Sequence, residues 1–146
     1  MVGLAAVSSA APAGTVQVVT GYEQAVSLFG DGGEEGMAEL IRLALKNGAC
    51  AVAAVPVADA EGYEAAFALL AGTEDIALTV CGSTDLEVQK ALRDSVAEAS
   101  QARRERLCVV AGDRGEDVDG LIARAKALDH ERAILVAPGA VDRAGA

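Results

Sequence analysis

Tryptophan is absent from this chain, and only two phenylalanines, two tyrosines and a single histidine are present. Without aromatic surface there are no platforms on which unpaired bases could stack, which removes one common mode of single-strand nucleic-acid binding. Basic residues are scarce too: 12 Lys and Arg stand against 22 Asp and Glu, for a net charge of −10. A polyanion is repelled by such a chain, so nucleic acid is excluded as a partner. The three cysteines, Cys50, Cys81 and Cys108, form no C-x-x-C pair and lie in apolar runs. An odd number without metal-ligand spacing excludes a disulfide framework and a zinc site, and the three read as buried thiols of a reducing compartment. Charge is missing altogether before Glu23, and Ala11-Pro12-Ala13 superficially resembles a signal-peptidase site. No Lys or Arg precedes the apolar segment Val2–Val7, and that segment is shorter than the roughly 7 to 15 residues of a signal core, so no secretory signal is expected. The longest interior uncharged run, Asn47 to Ala58, falls short of the roughly 20 residues that span a bilayer, so no membrane is expected as a partner.

What is present describes a globular domain. At roughly 150 residues per domain, 146 residues make one, and 52% hydrophobic with 23% charged residues suits a packed core. Alanine fills 32 positions, so the core must be built from small side chains that let helices approach a sheet closely. Short apolar runs at Val2–Val7 and Val16–Val19 read as strands, separated by a loop with Pro12 and Gly14. Thr20 and Glu23 have capping-box spacing ahead of a helix over Tyr22–Phe29. Met37, Leu40, Ile41, Ala44 and Leu45 recur on one helical face, Lys46 favours the negative end of that helix, and Gly48 is placed to end it in the left-handed conformation. Cys50–Val57 has no polar member, as in a strand covered on both faces, with Pro56 near its end. The unit then repeats: helix Glu61–Leu70, strand Ile76–Val80, helix Asp85–Ala102 behind a second capping-box spacing at Thr84 and Glu87, strand Leu107–Ala111, helix Asp117–Leu128, strand Ala133–Val136, and a stop at Pro138-Gly139. This alternation predicts an α/β fold, a mostly parallel doubly wound sheet with helices on both faces.

Ligands of such sheets collect beyond the carboxyl ends of the strands. Cys81 with Gly82 and Ser83 ahead of a helix could supply an activated thiolate, with His130 as its base, although a structural cysteine and a helix-end histidine account for both residues. Asp113, Glu116, Asp117 and Asp119 could gather a magnesium ion with Asp85, but acids at helix starts are common for dipole reasons alone. The glycine-rich stretch Gly30–Gly36 follows a helix where a nucleotide loop follows a strand, lacks a Gly-Lys-Ser/Thr ending and carries three carboxylates, so it reads as a surface turn between helices. Arg103, Arg104 and Arg106, at the carbonyl end of the long helix, cap it; with Lys90 and Arg93 they could also pair with an acidic face of another copy.

In order along the chain, these pieces resemble the contractile tail sheath proteins of bacteriophages and related contractile injection systems. The resemblance is carried by strand Val2–Val7 with its small-residue and Pro loop, Val16-Gln17-Val18-Val19-Thr20, the helix ending Leu28-Phe29-Gly30, and the helix closing Lys46-Asn47-Gly48-Ala49. It continues through strand Ala51–Val57, Tyr63-Glu64-Ala65-Ala66, Asp75-Ile76, and the terminal strand into Pro138-Gly139. What the resemblance implies is a subtilisin-like sheath-type domain without protease chemistry, spanning residues 1–146 as a single α/β domain, part of a longer sheath subunit. It implies no catalytic, cofactor-binding or metal-binding residues. It also implies other sheath subunits, a tail tube and a baseplate as partners, and a place in the virion tail sheath, with assembly in the bacterial cytoplasm. The alternative is a small-molecule-binding or hydrolytic α/β enzyme using strand-end residues near Cys81 and Asp113.

Overall fold

A computed structural model of the chain describes residues 1–33 and 36–137, so Pro138 and Gly139, expected to stop the last strand, lie outside the described residues. The described elements run β1 (Val2–Val7), β2 (Gln17–Val19), α1 (Tyr22–Phe29), α2 (Met37–Lys46), β3 (Val52–Val57), α3 (Tyr63–Gly72), β4 (Leu78–Cys81), α4 (Leu86–Gln101), β5 (Leu107–Ala111), α5 (Val118–Ala127) and β6 (Ala133–Val136). The strands form one sheet in the order β2-β3-β1-β4-β5-β6. Every neighbouring pair is parallel except β2 with β3, which is antiparallel. The doubly wound, mostly parallel α/β sheet expected from the sequence is therefore the observed fold.

Alternation along β1 and β3 sends side chains to two cores. Leu4, Ala6, Val52 and Ala54 face Ala25, Phe29, Met37, Ala38 and Ile41 of α1 and α2. Ala5, Ala53, Val55 and Val57 face the other way, toward Tyr63, Ala66, Phe67 and Leu70 of α3, in a core that continues through Val88, Leu92 and Val96 of α4 to Cys108 and Val110 of β5. All six residues of β3 are buried, as its unbroken apolar sequence requires. Pro56 fits inside this strand because β2 pairs only with Val52–Ala54; the Pro56 carbonyl points to the same side and accepts from Gly14, past the end of β2, so no ladder bond to β2 is lost.

Helix ends depart from the sequence reading in two places. Thr20 does not cap α1: Gly21 holds that position, and Gln24 Oε1 accepts from the Thr20 amide at 3.1 Å while its Nε2 donates to the Val18 carbonyl. At α4 the cap is Asp85, not the Thr84 of the expected capping box; its Oδ1 accepts from the amides of Glu87 and Val88 at 2.8 and 3.2 Å. The end of α2 follows expectation. Gly48 has φ +101, and the amides of Gly48 and Ala49 reach back to Leu45 and Ala44, which is the Schellman pattern. α4 ends the same way, but the residue in the left-handed position is Arg103, at φ +61. Ile76 lies ahead of β4: the chain reverses at Asp75, φ +61, and Ile76 is buried against Gly3, where a Cβ would stand 3.2 Å from its Cδ1.

Candidate functional site

The order of the sheet puts its switch point between β1 and β4, and the carboxyl ends of β1, β4 and β5 are where a ligand crevice would open. Between β1 and β4 the backbones close on each other. The Gly82 amide donates to the Ala5 carbonyl at 2.9 Å, and a Cβ on Gly82 would stand 2.9 Å from that of Ala6.

Cys81 ends β4 with its thiol 3.5 Å from the Ser83 carbonyl. Burial raises its pKa above the ordinary thiol value, the reverse of what a nucleophile requires. Burial also holds Cys108 up at about 11 and the neighbouring Tyr63 phenol up at about 12. His130 lies in the turn that leads into the amino end of β6, its Nδ1 accepting from the Arg132 amide at 3.1 Å, and so sits at the opposite end of the parallel strands from Cys81. No Cys81–His130 pair exists. Cys50 corrects the reading of three buried thiols: it is exposed, because it falls in the connection between the Schellman turn of α2 and the first residue of β3.

The strand-end acids are engaged with protein groups. Asp85 and Asp117 cap their helices. Asp113 Oδ1 accepts from the Thr84 hydroxyl at 3.1 Å and from the Arg114 amide at 2.8 Å. Glu116 accepts from the Asp113 amide and pairs with Arg124, whose hydrogen bond holds the carboxyl below its ordinary range. Among the described residues no group of three or more His, Cys, Asp or Glu is arranged to hold a metal ion. The Gly30–Gly36 stretch joins α1 to α2, as expected of a turn between helices; Glu34 and Glu35 lie outside the described residues.

Two residues that the sequence reading passed over organise this end of the molecule. Arg124, the only buried residue of α5, directs Nε to both oxygens of Glu116 (2.9 and 3.2 Å) and Nη1 to the Thr84 carbonyl (2.8 Å) and Gln89 Oε1 (2.9 Å). Gln89, fully buried in α4, donates to the carbonyls of Ala111 and Ser83 at 2.9 and 3.2 Å. Together they tie α4, α5 and the loops after β4 and β5 into one polar clamp. The signal was present: Gln89 falls three residues before Leu92 and seven before Val96, and Arg124 falls between Leu121 and Leu128, so each is a polar residue on an apolar face.

The arginines near the end of α4 also take a different role from the one expected. Arg106 is buried and donates to the Leu70 and Thr73 carbonyls at 2.7 and 3.2 Å, and Arg104 donates to the Ala71 carbonyl at 3.0 Å. They cap the carbonyl end of α3, a neighbour in space, in place of the end of their own helix. Arg93 does the same for α5 through the Ala127 carbonyl at 2.6 Å, and Lys90 pairs with Glu87. Of the proposed basic patch, then, Arg93, Arg104 and Arg106 hold helices together.

The site is an arrangement of caps and clamps. The chain superposes on the cryo-EM structure of the helical sheath of the anti-feeding prophage (AFP) in its contracted state, with a TM-score of 0.64, 14% sequence identity, and coverage of 91% of this chain. The chain shares its fold with a contractile sheath protein. It spans 38% of that sheath chain, well under half of its length. No protein-family model matches the sequence, and no curated protein matches it. No described helix is long and apolar enough to cross a membrane.

Proposed function

We propose that residues 1–146 form a single α/β domain of a longer subunit of a contractile sheath. In this reading the subunits polymerise into a helical sleeve around a tail tube, attached to a baseplate, and contraction of the sleeve drives the tube into a host cell. The work is mechanical: the same subunits pack in an extended lattice and in a more stable contracted one, and the difference between the two packings drives the stroke. The domain carries no catalytic, cofactor-binding or metal-binding residues. It belongs to the tail sheath of a phage or a prophage-derived injection particle, and is assembled in the bacterial cytoplasm.

The observation that carries this reading is the match to a helical sheath over 91% of the chain. It is supported by the strand-end residues an enzyme would need, since Asp85, Asp113, Glu116 and Asp117 bond to protein groups and burial disfavours the Cys81 thiolate. Negative-stain electron microscopy of the full-length gene product at high concentration, beside the 146-residue chain, tests it. Hollow ribbed tubes from the longer product are the expected result; compact particles alone under all assembly conditions would remove the polymerising role.

A further inference from the structure

α5 differs from the other described helices in how it is held. Along their lengths α1 lies against α2, α2 against β1 and β3, α3 against α4 and against β1 and β3, and α4 against β4 and β5, whereas α5 has no described element packed closely along it. Its one buried side chain is Arg124, and its large apolar residues Val118 and Ile122, a helical turn apart, are 71% and 46% exposed. A helix of 10 residues with Gly120 in its first turn is too short to persist on its own hydrogen bonds. It is seated by a few attachments. Leu121 rests over Gly112, where any Cβ would collide with it; Arg124 donates to the Thr84 carbonyl and to Gln89 Oε1; and the Ala127 carbonyl accepts from Arg93. Leu128, buried in the core just past the helix, pins the chain where it leaves.

We infer that α5 is a latched order–disorder element of this domain: it melts as one unit while the sheet and the other helices stay folded, and Arg124 is the latch. Elements with few buried apolar contacts are the ones that open below the free energy of global unfolding. Three features confine the opening to α5. β6 pairs with β5 from Ala133 to Val136, so the strand that follows the helix is held by its ladder and not by the helix. Gln89 keeps its own bonds to the Ala111 and Ser83 carbonyls when the guanidinium leaves its Oε1, so the loops after β4 and β5 stay tied to α4. The connection ahead of the helix is exposed from Asp113 to Gly115, and Gly115 turns there at φ +81. The latch itself is charge-assisted and directional: one guanidinium meets both Glu116 oxygens, the Thr84 carbonyl and Gln89 Oε1, so the helix is either seated or released. Released, the chain from Asp113 to Ala127 becomes a tether between two strands that remain paired, and the domain gains a surface that is remade without disturbing its core. The latch is a property of this chain alone and does not rest on the sheath reading.

Native-state hydrogen exchange of the 146-residue chain in rising urea tests this. The amides from Leu121 to Leu128 are expected to share one opening, with protection at least about tenfold below that of the best-protected β3 amides and little dependence on urea, since a small opening exposes little surface. Arg124→Ala should lower the protection of those amides by at least about a further tenfold, the size expected of a charge-assisted hydrogen bond. Ile41→Val, in the core under α1 and α2, should lower the protection of β3 and leave that of α5 unchanged. If circular dichroism shows that Arg124→Ala fails to fold, Glu116→Gln, which removes the charge opposite the guanidinium and keeps the shape of the side chain, supplies the same test with a loss of about threefold or more. Amides of α5 that exchange only by global unfolding, with the protection and urea dependence of β3, overturn the inference. So do graded values that are highest at the middle of the helix, which mark fraying from its ends, and protection that ignores Arg124 and Glu116.

Discussion

The half of the sheet built on β1 and β3 has an apolar core on both faces, while the half built on β4, β5 and β6 has one on a single face, where arginines also fasten the helices. On the first side Ile41, Phe29 and Met37 lock α1 and α2 down without a single buried charge. On the second, Arg124 and Arg93 hold α5, whose described residues bury no apolar side chain within the helix itself, and Arg106 secures the end of α3. Apolar burial is non-directional and tolerates small shifts, whereas a guanidinium aimed at carbonyls fixes position and register. Both halves are thus stabilised by apolar area, and the second is in addition positioned by geometry, with Ile134 and Val136 of β6 left exposed.

Core truncation should separate the halves most sharply. Ile41→Ala, at a fully buried residue of α2, is expected to cost about 2 to 5 kcal/mol, while Ile134→Ala, on the bare face, should change stability by less than about 0.5 kcal/mol in a dilute monomer. Urea denaturation of both variants measures this; equal losses would mean that the β6 face is already covered. The clamp comes next. Arg124→Ala should cost about 2 to 4 kcal/mol, because it leaves the buried Gln89 Oε1 and the part-buried Thr84 carbonyl without their donor. The same clamp sets an acid limb. Glu116 has its carboxyl lowered by the Arg124 hydrogen bond, so its contribution is fully present above the ordinary value of 4.5 and is lost as pH falls through the depressed folded value. Arg124→Ala should flatten that part of the stability profile, read by thermal unfolding between about pH 6 and pH 3. The smallest effect is expected at the end of α4. Arg103 occupies the left-handed position that Gly48 fills at α2, so Arg103→Gly should stabilise by up to about 1 kcal/mol, the relief of left-handed strain being partly offset by a more flexible unfolded chain.

Much of the fold was legible because its signals are local. The period-3.6 face of Met37 to Leu45, the polar-free run ending in Val57 and the left-handed Gly48 each state their conformation within a few residues, and the observed elements fall there. The caps misled where two neighbours offered competing oxygens: Thr84 and Asp85 both satisfy a cap's chemistry, and the carboxylate, able to accept two amides, takes the position while the hydroxyl turns to Asp113. The strand-end acids were found as a group, but their partners were not. Arg124 lies 35 residues from Gln89 and 40 from Thr84, and no periodicity reports a contact over such separations.

By itself the sequence determined the α/β alternation, the net acidity and the small-residue core, since each depends on composition or on contacts within a turn or two of chain. The placement of β2 as an antiparallel edge, the assignment of Arg104 and Arg106 to α3, and the exposure of Ile134 and Val136 on β6 were decided only by the tertiary structure. The physical reason lies in the period of a strand. Alternation tells which residues share a face, but only the packing of distant helices tells whether that face is covered.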